Sequence, residues 1–116
     1  MNWDPTWRYF KLSEFACSCC GEAEMNRAFV QKLDRLRGHL GFPLIISSGY
    51  RCPAHDRAVG GAGVHPTGRA VDIKISGEQA FKLVTMAQAF GMTGIGVQQS
   101  GSHARRFIHL DDTSGA

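Results

Sequence analysis

Over residues 26–40 the apolar positions Phe29, Val30, Leu33, Leu36 and Leu40 return at helical spacing, and Arg27, Lys32, Asp34, Arg35 and Arg37 fill the other face. This pattern predicts an amphipathic helix lying on a core, ended near Gly41. Pro43-Leu44-Ile45-Ile46-Ser47-Ser48 is a short apolar, β-branched run before Gly49 and predicts a buried strand. Residues 54–59 predict a short helix closed by Gly60-Gly61. Residues 69–75 alternate polar with apolar, as a strand with one buried face does. Ser76-Gly77-Glu78-Gln79 has the form of a capping box. It opens a second long helix with Ala80, Phe81, Val84, Ala87 and Phe90 expected inward and Gly91 as its stop. Residues 94–98 and 106–110 predict two more strands, joined by a polar loop over 99–105 that is expected to be mobile.

Ahead of these elements, residues 1–21 carry Trp3, Trp7, Tyr9, Phe10 and Phe15. They read as an N-terminal arm packed on the domain, with a helical turn near Ser13-Glu14-Phe15. The order helix, strand, strand, helix, strand, strand predicts an α+β fold with helices on one face of a small, mostly antiparallel sheet.

The length of 116 residues suits one domain, so residues 1–116 are expected to form a single unit, and 43% apolar content suffices for one modest core. No apolar run is long enough to cross a bilayer, and no membrane insertion is expected. Met1-Asn2-Trp3-Asp4-Pro5 lacks a basic stretch followed by an apolar one, so synthesis without a signal peptide in a cytoplasm is expected. The net charge of +3 suits either an ordinary solvated surface or attraction to an anionic polymer such as a cell wall or nucleic acid. Arg105-Arg106 is only a pair, and no dense basic run marks a nucleic-acid surface, so no nucleic-acid partner is expected.

Candidate chemistry concentrates in two segments. In His65-Pro-Thr-Gly68-Arg-Ala70-Val-Asp72 an imidazole and a carboxylate flank a turn glycine. Strand alternation puts Val71 and Ile73 on the core face, and Ala70 and Asp72 on the other, where the small Ala70 leaves room beside the carboxylate. In Phe107-Ile108-His109-Leu110-Asp111 the same alternation turns Ile108 and Leu110 inward and His109 and Asp111 outward. If the two strands are neighbours, Asp72, His109 and Asp111 converge and His65 reaches in from the loop. Two imidazoles and one carboxylate form a common catalytic zinc set with a fourth position left for water, and bound Zn2+ polarises a carbonyl and acidifies that water. A carboxylate in a strand is disfavoured unless paired or exposed, which makes Asp72 the least dismissible of the set.

Four motifs together carry a resemblance: Ser48-Gly49-Tyr50-Arg51-Cys52-Pro53-Ala54-His55, Val59-Gly60-Gly61-Ala62, His65-x-x-Gly68-x-Ala70-x-Asp72 and Phe107-Ile108-His109-Leu110-Asp111. The chain resembles the peptidase M15 family of zinc D,D-carboxypeptidases and peptidoglycan endopeptidases over nearly its whole length. The resemblance implies the fold shared by D,D-peptidases and the Hedgehog signalling domain. It implies Zn2+ bound by His65, Asp72 and His109, and hydrolysis of amide bonds in peptidoglycan stem peptides or cross-links. Arg51 matches the family arginine near the substrate carbonyl or carboxylate; a fixed guanidinium binds a carboxylate bidentately or stabilises an oxyanion.

Two positions depart from the family pattern. Gly63 stands where many members have Ser, two residues before the first zinc histidine. Arg106 stands where many D,D-carboxypeptidases carry an acidic general base, and it cannot accept a proton. Asp111 is therefore expected as base or as orienter of a zinc ligand, with His103 as second acid/base candidate. The expected activity is that of a monomeric zinc peptidase of the phage, prophage or bacterial cell-wall type, acting on the wall after release. The alternative is a non-catalytic, zinc-containing wall-binding or Hedgehog-like module. Cys17, Cys19, Cys20 and Cys52 stay outside this scheme. A bridge from Cys52 to one of the other three, a structural zinc with His55 contributing, and free thiols are all open.

Overall fold

Asn26 starts the first long helix, α1 (Arg27–Leu40), by accepting the Phe29 N–H on its side chain at 3.0 Å. Gly41, in the left-handed region at φ 77°, ends it with an N–H to the Arg37 carbonyl. The helix buries Phe29, Val30, Leu33 and Leu36, each contributing about 1.5–3 kcal/mol of apolar transfer free energy. Asp34 departs from its expected solvent position. It is buried, and its carboxylate accepts the backbone N–H groups of Tyr9 and Arg8 at 3.0 and 3.4 Å, so it anchors the N-terminal arm.

The computed structural model describes residues 1–113 of the chain. Its elements continue with β1 (Ile45–Ser48), α2 (Pro53–Ala58), β2 (Ala70–Lys74), α3 (Gly77–Ala87), β3 (Gly94–Gln98) and β4 (Phe107–Asp111). The fold is α+β, as expected. The four strands form one fully antiparallel sheet in the order β1-β2-β4-β3. Val71, Ile73, Ile108 and Leu110 turn to the core, where they join the apolar faces of α1 and α3 in one cluster. No helix among the described residues is long and apolar enough to cross a membrane.

Three local expectations are corrected. The run before Gly49 does form a strand, but β1 lies at the sheet edge with Ile45 exposed, and it is Leu44 just ahead of it that is buried. In α3 the buried positions are Ala80, Leu83 and Ala87, whereas Phe81 stands 70% exposed: the helix is turned so that Leu83 takes the core position. Ser76 makes no side-chain cap to α3; its hydroxyl lies 3.1 Å from His103 Nδ1. The polar loop over 99–105 contains a 3-10 turn, His103–Arg105, and the Gln99 amide at its start donates to the Ile75 and Phe107 carbonyls at 2.9 and 3.3 Å.

Residues of the N-terminal segment enter the core. Trp7, Phe10, Phe15 and Cys17 are buried in the common core, and a 3-10 turn spans Leu12–Phe15. Trp7 Nε1 donates to Gln31 of α1 at 2.6 Å. Beyond Phe15 the arm crosses the loop after β1 so closely that a Cβ on Gly49 would stand 2.7 Å from the Phe15 Cα. Only a residue without a side chain permits that approach, and the Tyr50 N–H donates to the Phe15 carbonyl at 2.8 Å across it.

Asp112 closes the sheet onto α1. Its buried carboxylate accepts two bonds from Arg69, at 2.8 and 3.2 Å, and one from Lys32 at 2.8 Å. Burial opposes its ionisation, but the Arg69 and Lys32 contacts outweigh that and hold its pKa below the ordinary value. A carboxylate with a depressed folded-state pKa stabilises the fold fully above its unfolded value of about 3.9 and loses that contribution as pH falls through the folded value. Asp112→Asn is expected to cost about 1–2 kcal/mol at pH 7, discounted because both cations are over a third exposed. Urea unfolding checks it: the gap between variant and native chain shrinks below about pH 4, and a gap that persists unchanged into strong acid refutes the assignment.

Candidate metal centre

In the β2–β4 ladder Asp72 stands directly opposite His109, and Asp111 opposite Ala70. Directly opposed residues on antiparallel strands bring their Cβ atoms to about 4.5–5.5 Å, so this register by itself brings an imidazole to a carboxylate. His109 Nδ1 lies 2.8 Å from Asp72 Oδ1, and His109 Nε2 lies 2.7 Å from Asp111 Oδ2. His65 arrives from the 3-10 turn His65–Thr67, closed by Gly68 at φ 72°. Its Nε2 is 3.5 Å from Asp72 Oδ1, and the two imidazole rings are 5.4 Å apart at their centroids. Gly68 is required twice over, because a Cβ there would meet the Glu24 carbonyl at 2.3 Å.

The ligand atoms of His65, Asp72 and His109 all lie within 4.8 Å of one another. The protons are assigned by the partners. His65 Nδ1 is 2.8 Å from the Gly49 carbonyl, which only accepts, so that nitrogen carries the hydrogen and Nε2 keeps its lone pair toward Asp72. His109 Nε2 donates to Asp111, which leaves Nδ1 as the nitrogen that could ligate, also toward Asp72. Two nitrogen lone pairs and a carboxylate oxygen thus converge on one point, a donor set that fits Zn2+. Burial works against ionisation of Asp72, yet its bonds with His109 and His65 outweigh burial and hold its carboxyl well below the usual range. The same Asp72 bond, against burial and with help from Asp111, raises the His109 pKa, so a metal ion at Nδ1 would have to displace a proton held there.

Arg51 lies at the rim, 18% exposed in its side chain. Its NH1 donates to Asp56 at 3.0 Å, its NH2 to Asp72 Oδ2 at 3.4 Å and its Nε to Ser48 Oγ at 3.2 Å. Asp56 is nearly fully buried on α2. It also accepts the Gly63 N–H at 2.9 Å, so one carboxylate holds both Arg51 and the loop leading to His65.

The remaining candidates separate. Asp111 uses Oδ2 on His109 and Oδ1 on the Thr113 N–H and hydroxyl, at 3.2 and 3.0 Å. It stands behind the imidazole, on the side away from Asp72, as a carboxylate that orients a metal-binding histidine does. His103 is not gathered into the cluster. It lies beyond the far end of β2 against Ser76 and lines a separate surface hollow with Lys74 and Gln79. Arg106 lines a groove with Phe81, Val84 and Ile108, on the helix side of the sheet.

Residues 8–111 match the family model described as Peptidase M15. The chain belongs to the peptidase M15 family. Among curated proteins and among solved structures, nothing matches. Membership in peptidase M15 points to a metallopeptidase, and the His65–Asp72–His109 cluster is chemically suited to such an enzyme's metal.

Three features of this M15 site escape a reading of the sequence. Asp56 looks like one more polar residue of a short surface helix. Gly94 and Gly96 sit on β3 opposite Asp111 and His109. A Cβ on Gly94 would stand 2.4 Å from the Asp111 carboxylate, and one on Gly96 would stand 3.2 Å from the His109 Cβ, so the Gly-x-Gly of β3 clears space for the site. The Gly49 carbonyl carries no side-chain signal at all; only the strand-interrupting glycine hints at it.

Asp111→Asn tests the orienting role. The amide still fills the space but no longer enforces the His109 tautomer, and Zn2+ affinity is expected to fall about 10–100-fold. Competition against a chromophoric chelator measures it, and an affinity equal to that of the native chain contradicts the role.

Proposed function

We propose that this M15 chain is a zinc metallopeptidase that hydrolyses amide bonds in peptidoglycan stem peptides or cross-links, and that it has the Hedgehog/DD-peptidase fold. The observation that carries the reading is the convergence of His65 Nε2, Asp72 Oδ1 and His109 Nδ1 beside the guanidinium of Arg51. When bound there, Zn2+ supplies Lewis acidity toward a peptide carbonyl and brings the pKa of water down to about 7.

The chain's own residues divide the remaining work. His65 and His109 are oriented by the Gly49 carbonyl and by Asp111, with His65 Nε2 and His109 Nδ1 turned to Asp72. Asp72 supplies the anionic ligand, stabilised as a carboxylate by both imidazoles. Arg51 is held by Asp56, Ser48 and Asp72, and its remaining NH1 and NH2 hydrogens are the ones offered to a stem-peptide carboxylate or to a developing oxyanion. The mild positive charge favours approach to an anionic wall. A wall-lytic role for a phage, prophage or bacterial protein made in a cytoplasm, acting as a monomer on the wall without nucleic-acid partners, belongs to the same proposal.

One observation favours a second reading. Both oxygens of Asp111 are engaged, Arg106 faces the helices and His103 lies at the far end of β2, so none of the three is free to take a proton at the cluster. A zinc-containing wall-binding module without catalysis would need no such base. Mass spectrometry of peptidoglycan incubated with the zinc-loaded protein, beside a His65→Ala control, separates the two. New stem-peptide termini absent from the control support the peptidase, and their masses identify the bond; zinc and wall binding without new termini support the binding module. With activity in hand, Arg51→Lys is expected to lower kcat/KM about 10²–10³-fold through loss of the bidentate edge, and an unchanged kcat/KM removes Arg51 from the mechanism.

A further inference from the structure

The four cysteines take no part in the centre described above, yet the fold gathers them. Cys17, Cys19 and Cys20 occupy a turn of the N-terminal arm, and Cys52 is the N-cap residue of α2. The sulfurs of Cys17, Cys20 and Cys52 lie within 4.8 Å of one another, and the Cys19 side chain interacts with that of Cys52. None of the four is in a disulfide.

The backbone around Cys17 is arranged for a thiolate. The Cys52 N–H donates to Cys17 Sγ at 3.5 Å, and the N–H groups of Cys19 and Cys20 are directed at the same sulfur. The His55 N–H donates to Cys52 Sγ at 3.4 Å. Hydrogen bonds to sulfur favour its charged form. Several thiolates within 4.8 Å repel one another unless a cation sits among them. The turn itself is a Cys-x-x-Cys-Gly knuckle: Gly21 takes φ 77° and its N–H returns to the Cys17 carbonyl at 2.8 Å. Cys-x-x-Cys is the short ligand spacing of structural zinc sites, and soft thiolates select such an ion.

We propose that Cys17, Cys20 and Cys52 hold a structural Zn2+ as thiolates, separate from the His65–Asp72–His109 centre, with the fourth ligand drawn from the same two segments. Two further donors lie on these segments: Cys19, which interacts with Cys52, and His55, whose Nε2 lies 3.4 Å from Ser18 Oγ. The ion staples the arm to the loop over residues 49–52, where Gly49 aims His65 and Arg51 meets Asp72. It is therefore a positioning device for the other centre, although its existence does not depend on what that centre does. Binding releases the thiol protons to solvent and changes no oxidation state.

The test uses the full chain carrying His65→Ala and His109→Ala, purified under reductant, so that metal at the first centre does not contribute. Native mass spectrometry is expected to find one Zn2+ per chain, and cobalt substitution to give thiolate-to-metal charge-transfer absorption. Adding Cys52→Ser is expected to remove that ion, and because serine also caps helices well the loss is not a loss of α2. Cys19→Ser and His55→Ala then identify the fourth ligand by which one weakens retention. The proposal is overturned if the reduced, folded double variant holds no Zn2+, if Cys52→Ser retains it undiminished, or if the intact mass is lower by the two hydrogens of a disulfide.

Discussion

The pairing of β2 with β4 sets Asp72 against His109, and every other part of the centre is arranged around that opposition. A slip of one residue in this ladder would carry Asp72, His109 and Asp111 to the core face and expose Val71, Ile73, Ile108 and Leu110. The apolar face therefore enforces the polar one. The free energy that keeps His109 opposite Asp72 comes mainly from burial of the alternate residues against α1 and α3, not from the polar contacts themselves. The register is thus determined before any ligand is considered.

Around that pair the chain supports charged groups at half-buried positions by giving each a partner. Asp111 stands behind His109, Gly49 offers its carbonyl to His65, and Asp56 takes Arg51 and the Gly63 N–H together. No buried side-chain nitrogen or oxygen among the described residues lacks a hydrogen bond. The two imidazoles consequently keep fixed orientations with their ligating nitrogens turned to Asp72. Space is made by omission: Gly94 and Gly96 line β3 where a side chain would crowd Asp111 or His109. The arm, which brings no ligand to this centre, matters through Phe15 and its crossing over Gly49.

Much of this was legible in the sequence wherever a period or an alternation carried it. Helix α1 followed from its apolar spacing, the convergence of Asp72, His109 and Asp111 followed from alternation on two strands assumed to be neighbours, and the choice of His65, Asp72 and His109 as the metal set followed from the family resemblance. What escaped depended on contacts between distant segments. Asp34 reads as a solvated helix residue until the arm presents its N–H groups. Phe81 and Leu83 compete for the inward position of α3, and only the seating of the helix on the sheet decides between them. The expected capping box at Ser76 does not form, and its hydroxyl meets His103, far along the chain, instead. That contact also leaves His103 out of the cluster. Asp56 and the Gly-x-Gly of β3 carry no periodic signal, since their roles are to fill and to vacate space beside side chains remote in sequence.

The central claim is that one point between His65, Asp72 and His109 is a zinc site. Anomalous diffraction at the zinc absorption edge from crystals of the zinc-loaded protein tests it most directly. The account predicts a peak about 2.0–2.2 Å from His65 Nε2, Asp72 Oδ1 and His109 Nδ1 together, with His109 Nε2 still on Asp111. A fully loaded crystal with no peak at that point, or with His109 turned to ligate through Nε2, would contradict it.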